Sequence, residues 1–102
     1  MENEIQKHKD EVRLKLESEL YVENYETFNQ SVIMLNLALE SFGINHQYNY
    51  DGFCKDFTEE CMDYIDKHPK VNLLDPIQIS FYTLPIILSL VEKARTKYGN
   101  LS

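Results

Sequence analysis

Residues 25–43 read YETFNQSVIMLNLALESFG, and the spacing of the apolar letters in this stretch decides the fold class. Tyr25, Phe28, Val32, Leu35, Leu39 and Phe42 recur at alternating steps of three and four, which winds them onto one side of an α-helix. Ile33, Met34, Leu37 and Ala38 widen that side well beyond a narrow stripe, so the helix, residues 24–42, is expected to be a central one, buried on more than one side. Gly43 follows directly and supplies the left-handed residue on which helices commonly end.

Upstream, Ile5, Val12, Leu16 and Leu20 keep mostly helical spacing, and Glu11 with Lys15 forms an i, i+4 pair in the favourable order. An amphipathic helix is predicted over residues 3–20, with Leu14 off its apolar stripe. Downstream, residues 44–52 have neither period, are rich in Asn and Tyr, and read as an ordered loop. Asp51 is a candidate N-cap for a helix over residues 52–67 whose core face is Phe53, Phe57, Cys61, Tyr64 and Ile65. Pro69 ends it, because the residue before a proline is pushed out of helical geometry.

Asp75-Pro76-Ile77-Gln78 carries a helix-start signature: a capping Asp, Pro at the first helical position and a Gln able to reach back. The last helix, residues 76–98, then presents Ile77, Phe81, Leu84, Leu88 and Val91 as its inward face. Pro85 lies inside it, which predicts a kink or two abutting helices. A competing reading, in which Ile77, Ile79, Phe81 and Thr83 point inward from a short strand, lacks a partner strand elsewhere in the chain. The fold class is therefore all-α, a compact array of about four helices with the last kinked or broken at Pro85, and its second and fourth helices are expected to form the core.

Composition agrees. The chain has 102 residues, with three Gly and three Pro, room for a single domain spanning 1–102 and too few turn residues for a many-stranded sandwich or barrel. Ten Lys plus Arg stand against seventeen Asp plus Glu, a formal charge of −7, which disfavours a direct grip on nucleic acid phosphates. No basic segment leads into an apolar signal core, and no uninterrupted apolar run approaches the ~18 residues of a membrane span, so no membrane partner is predicted and a soluble, cytoplasmic protein is expected.

Chemistry-bearing residues give no site. Cys54 and Cys61 share a helix about 10 Å apart, too far for a disulfide. Cys54, Cys61 and His68 are spaced by sevens, but residues two turns apart cannot converge on one ion at ~2.0–2.3 Å. Glu4 with His8, and Asp63 with Lys67, are isolated pairs. No nucleophile elbow, di-iron Glu-x-x-His pair, EF-hand or phosphate-cradling glycine loop is present. Neither an enzyme nor a cofactor is predicted.

Charge distribution is the remaining signal. No Lys or Arg occurs between Lys15 and Lys55, a stretch holding Glu17, Glu19, Glu23, Glu26, Glu40 and Asp51. Asp56, Glu59, Glu60, Asp63 and Asp66 then line one side of the third helix, where like charges on adjacent turns cost a few tenths of a kcal/mol per pair. A focused acidic face speeds encounter with a cationic surface, and the adjoining loop holds His46, Tyr48, Tyr50 and Phe53. The expected function is a non-enzymatic acidic binding protein that neutralises or regulates a basic protein partner, in its most concrete form an immunity- or antitoxin-like inhibitor of a nuclease toxin. Asp56, Glu59, Glu60 and Asp63 would steer, and Tyr48 and Tyr50 would anchor. The alternative is a structural or assembly protein, a helical homo-oligomer joined through an aliphatic face such as Ile33, Met34 and Leu37, or Ile86, Ile87 and Leu90.

Overall fold

The computed structural model describes residues 2–99, and every regular element among them is helical. Helix α1 (Glu2–Lys15), a π turn (Leu16–Leu20) and α2 (Tyr21–Glu23) follow head to tail with helical backbone at both junctions, so they form one rod. Asn24 leaves helical geometry and separates the rod from α3 (Tyr25–Ser41). Helix α4 (Tyr50–Lys67) follows the 42–49 loop, and α5 (Pro76–Ala94) continues into a π turn at Arg95–Gly99. The four expected helices are all present, and residues 77–84 are helical rather than extended.

Several boundaries follow from caps legible in the residues. Gly43 takes φ 73°, and the amide after it, Ile44 N–H, reaches back to the Leu39 carbonyl at 2.9 Å. Asp75 Oδ1 accepts the Ile77 N–H at 3.0 Å, and Gln78 Nε2 donates to Asp75 Oδ2 at 3.2 Å. The cap of α4 differs from expectation. Asn49, not Asp51, accepts the Gly52 N–H at 2.7 Å, so the helix starts earlier and takes Tyr50 into its first turn. At Pro85 the chain stays helical instead of dividing into two helices.

The core is centred on α4, a correction to the expectation that the second and fourth helices supply it. Phe53, Phe57, Thr58, Glu60, Cys61, Met62 and Ile65 are buried on α4, against Phe28, Val32, Leu35 and Leu39 on α3. The Phe57 ring lies 5.3 Å from Phe53 and 5.7 Å from Phe28, within the range of favourable aromatic packing. The wide apolar surface of α3 is not buried on more than one side: Ile33, Met34 and Leu37 are 52%, 67% and 58% exposed.

Helix α5 is turned the other way round from its expected orientation. Ile86, Leu90, Val91 and Ala94 are buried, with Ile79, Tyr82 and Ile87 packed beside them. Of the expected inward set only Val91 is covered; Ile77, Phe81, Leu84 and Leu88 face outward. Helix α5 carries two apolar stripes, and periodicity within one helix cannot say which of two such stripes meets the rest of the molecule.

The π turn sets which residue of the first rod enters the core. Tyr21 N–H bonds to the Leu16 carbonyl, five residues back, and the extra residue per turn brings Tyr21 in line below Leu16 where regular α geometry would have brought Leu20. Tyr21 is buried, its ring edge-on to Phe28 at 5.2 Å. Its hydroxyl sits 2.7 Å from Thr58 Oγ1 and donates to the Cys54 carbonyl at 3.1 Å. Tyr21→Phe keeps the ring and removes the hydroxyl, so a loss of about 1–2 kcal/mol is expected in urea unfolding; a midpoint equal to the parent's would show that these bonds contribute nothing.

Candidate functional site

The acidic row of α4 is positioned by helical phase: Phe53, Phe57, Cys61 and Ile65 enter the core, which turns the row at 56, 59, 60, 63 and 66 toward the flanks where α1 and α5 lie. Cations from both neighbours meet it. Arg13 of α1 reaches Glu59 at 2.8 Å and Glu17 at 3.9 Å, and Lys9 reaches Asp66 at 3.0 Å. Lys93 of α5 pairs with Glu60 and, at 2.8 Å, with Asp63. Asp56 accepts the Tyr48 hydroxyl at 2.8 Å. The row read from the sequence as uncompensated thus meets cations from both neighbours at a largely exposed seam, with Glu59, Asp63 and Asp66 about half exposed, and only Glu60, at 6% exposure, is buried.

The perturbed groups report the same contacts. The Lys93 ammonium donates to Asp63 and holds that carboxyl below the usual carboxylate range. Asp63 and Glu60 in turn hold Lys93 above the ordinary range of a lysine. The hydrogen bond to Glu59 raises Arg13. Burial, followed by the bond to Asp56, pushes the Tyr48 hydroxyl up.

Of the six residues assigned to partner binding, Tyr48, Asp56, Glu59 and Glu60 line one depression of about 220 Å³, with Lys93, Lys97 and Tyr98 also in its wall. Asp63 joins them through Lys93. Tyr48 is fixed by its backbone: its N–H donates to Asn36 Oδ1 at 2.8 Å and its carbonyl accepts from Asn36 Nδ2 at 3.0 Å. The His46 ring stands edge-on to Tyr48 at 4.8 Å and stacks on Tyr98 at 4.0 Å. Tyr50 is elsewhere, donating to the Tyr21 carbonyl and packing on Tyr25 at 4.6 Å.

Burial pushes Cys54 up to about 11 and Cys61 further, so both are protonated at neutral pH and neither is an activated nucleophile. Among the described residues no group of three or more His, Cys, Asp or Glu could hold a metal ion.

The feature that sequence reasoning missed is apolar. Ile77, Phe81, Leu84 and Leu88, at steps of four, three and four, are 78%, 71%, 64% and 55% exposed. Beside them lies α3. Thr27 and Ser31 share a groove of about 370 Å³ with Ile79 and Thr83, and Arg95 lies over the Phe42 ring at 5.2 Å, so α3 and α5 run parallel. That register carries Met34 and Leu37 onto the same outer side as Leu84 and Leu88. Through Tyr98 the helix spans 23 residues, long and apolar enough to cross a membrane by length and composition alone. Gln78, Ser80, Tyr82 and Thr83 interrupt the uninterrupted run that a sequence scan looks for. No known protein family, curated protein or solved structure matches the chain.

Lys93→Met leaves the buried Glu60 carboxylate without its cation. The expected loss at neutral pH is about 1–3 kcal/mol, below that of a fully buried pair because Lys93 is itself half exposed. The depressed Asp63 carboxyl contributes stability at neutral pH that is lost as pH falls through its folded value. Removing Lys93 therefore flattens the acid limb as well. Urea unfolding of parent and variant at neutral pH and at about pH 3 checks both effects, and equal losses at the two pH values would contradict the assignment.

Proposed function

We propose that this protein is a non-enzymatic interaction protein whose working surface is the outer apolar face of α5 with Met34 and Leu37 of α3. The supporting observation is the stripe Ile77, Phe81, Leu84 and Leu88, each more than half exposed on a stretch, Pro76 to Val91, that contains no charged residue in sixteen. Together with Met34 and Leu37 these side chains expose on the order of 600–700 Å² of mainly apolar surface, at or above the ~300–600 Å² of the largest patch on a typical monomer. The core does not call for them, since α5 already buries a second stripe. A surface of this kind gains free energy when a partner removes it from water, at roughly 25 cal/mol per Å² before the costs of association.

A second reading rests on a different observation. Glu11, Glu23, Glu26, Glu40 and Asp51 make no ion pair among the described residues, so the end of the molecule holding Glu23, Glu26 and Asp51 carries carboxylates without a paired cation, in addition to the partly compensated α4 row. On this reading the protein is an inhibitor of a basic protein, such as a nuclease toxin, with Tyr25 and Tyr50 beside the acids as anchors.

Salt separates the two. A complex made through the apolar face persists at about 1 M salt, where the screening length is ~3 Å, and a complex steered by carboxylates does not. Phe81→Glu with Leu84→Glu is expected to leave the folded chain intact, with the parent's helical circular dichroism and cooperative urea unfolding, while abolishing salt-resistant association and whatever stability that association adds. Full retention of salt-resistant association by this folded double variant would refute the apolar-face reading. Loss of binding in Glu23→Gln, Glu26→Gln, Asp51→Asn instead would favour the inhibitor.

A further inference from the structure

We infer that the occupant of the apolar face is a second copy of this chain, docked about a two-fold axis with α5 antiparallel to α5 of its mate. The inference rests on the interaction reading above and names the partner. Three observations point to a like copy.

The first is the symmetry of the stripe. Steps of four, three and four read the same from either end, so a two-fold axis passing between Phe81 and Leu84 sets Ile77 against the mate's Leu88 and Phe81 against the mate's Leu84. Two-fold contact requires such a self-complementary patch. The stripe is about 16 Å long, so four side chains from each copy can interleave along one helix pair.

The second is area. Ile77, Phe81, Leu84 and Leu88 with Met34 and Leu37 offer roughly the ~800 Å² per partner of a standard stable interface once the flanking Ser80 and Thr83 side is counted. Homodimer interfaces are also the more apolar class, as this one would be.

The third is charge. A chain of formal charge −7 repels its own copy wherever acids face each other, and the sixteen residues from Pro76 to Val91 hold none. Tyr82 lies on Tyr64 at 5.3 Å and Lys93 on Asp63, so the side of α5 that meets α4 is the reverse of the Ile77–Leu88 side. Most of the acidic row lies on that reverse side, and it approaches the stripe only at its end, where Leu88 shares a depression with Glu60, Lys67 and Lys93. The Pro76–Val91 stretch carries no charge, so a charged partner finds no counter-charge along the stripe, and a second copy of it brings no carboxylate there.

Size-exclusion chromatography with light scattering, run over a range of protein concentrations at low and at about 1 M salt, tests this. The expected mass is twice 12.1 kDa, unchanged by salt, and Phe81→Glu with Leu84→Glu returns it to 12.1 kDa with the parent's helical circular dichroism. Orientation is read by oxidation, with the parent as control for Cys54 and Cys61. Leu84→Cys, near the axis, forms a bridged dimer, whereas Ile77→Cys, far from its own copy in an antiparallel pair, does not. Bridging at both positions overturns the antiparallel arrangement. A parent that stays at 12.1 kDa throughout overturns the self-partner inference. If that monomer nevertheless sediments with neutral phosphatidylcholine vesicles, or holds another protein in high salt, and the double glutamate variant does neither, the interaction reading survives with a different occupant; if it does neither itself, both readings fall.

Discussion

Helix α4 has both of its chemical faces engaged inside the molecule, and the arrangement of the other helices follows from that constraint. Its apolar side carries Phe53, Phe57, Cys61 and Ile65, all at or below 1% exposure, and these must be covered. Its acidic side carries charges at spacings that repel one another within the helix. Arg13, Lys9 and Lys93 answer that repulsion from the two neighbours. Exposed ion pairs of this kind contribute up to about 1 kcal/mol each, far less than burial of the rings, so the pairs do not hold the molecule together. They agree with the rotation of α1 and α5 that burial of Val12, Leu16, Ile86 and Leu90 requires, since that phase brings the cations opposite the acids.

How far the sequence disclosed this depends on range. Features set within one turn were legible: the Gly43 terminus, the Asp75-Pro76-Gln78 start, the core face of α4 and the middle of α3. Features set by distant residues were not. Arg13 meets Glu59 across 46 positions and Lys9 meets Asp66 across 57, so an acid row that looks uncompensated locally acquires its partners only on folding. Helix α5 failed for a related reason. Two apolar stripes wind round it, and the choice between them was made by Tyr64, Glu60 and Asp63 on another helix. Asn49 displaced Asp51 as the α4 cap because both residue types accept a backbone N–H equally well; the loop geometry, not the residue type, decides.

The candidate site was legible in part for the same reasons. Tyr48, Asp56, Glu59 and Glu60 do gather in one depression, as their proximity in sequence suggests, yet Lys93 of α5 and Lys97 of the π turn after it share that depression. Three cations against five carboxylates compensate the row in part and change what the molecular surface offers. Its largest remaining departure from an ordinary solvated exterior is aliphatic and aromatic, the Ile77–Leu88 stripe of α5.

The π turn at Leu16–Leu20 has a geometric effect on the N-terminal half that reaches beyond Tyr21. Each residue added to or taken from a helix rotates everything on one side of it by about 100° relative to the other. With Tyr21 anchored on Thr58, the azimuth of α1 is inherited from that single supernumerary residue. A one-codon deletion within the turn would act like a slipped gear tooth, swinging Lys9 and Arg13 a quarter-turn away from α4 while leaving every residue of α1 unchanged.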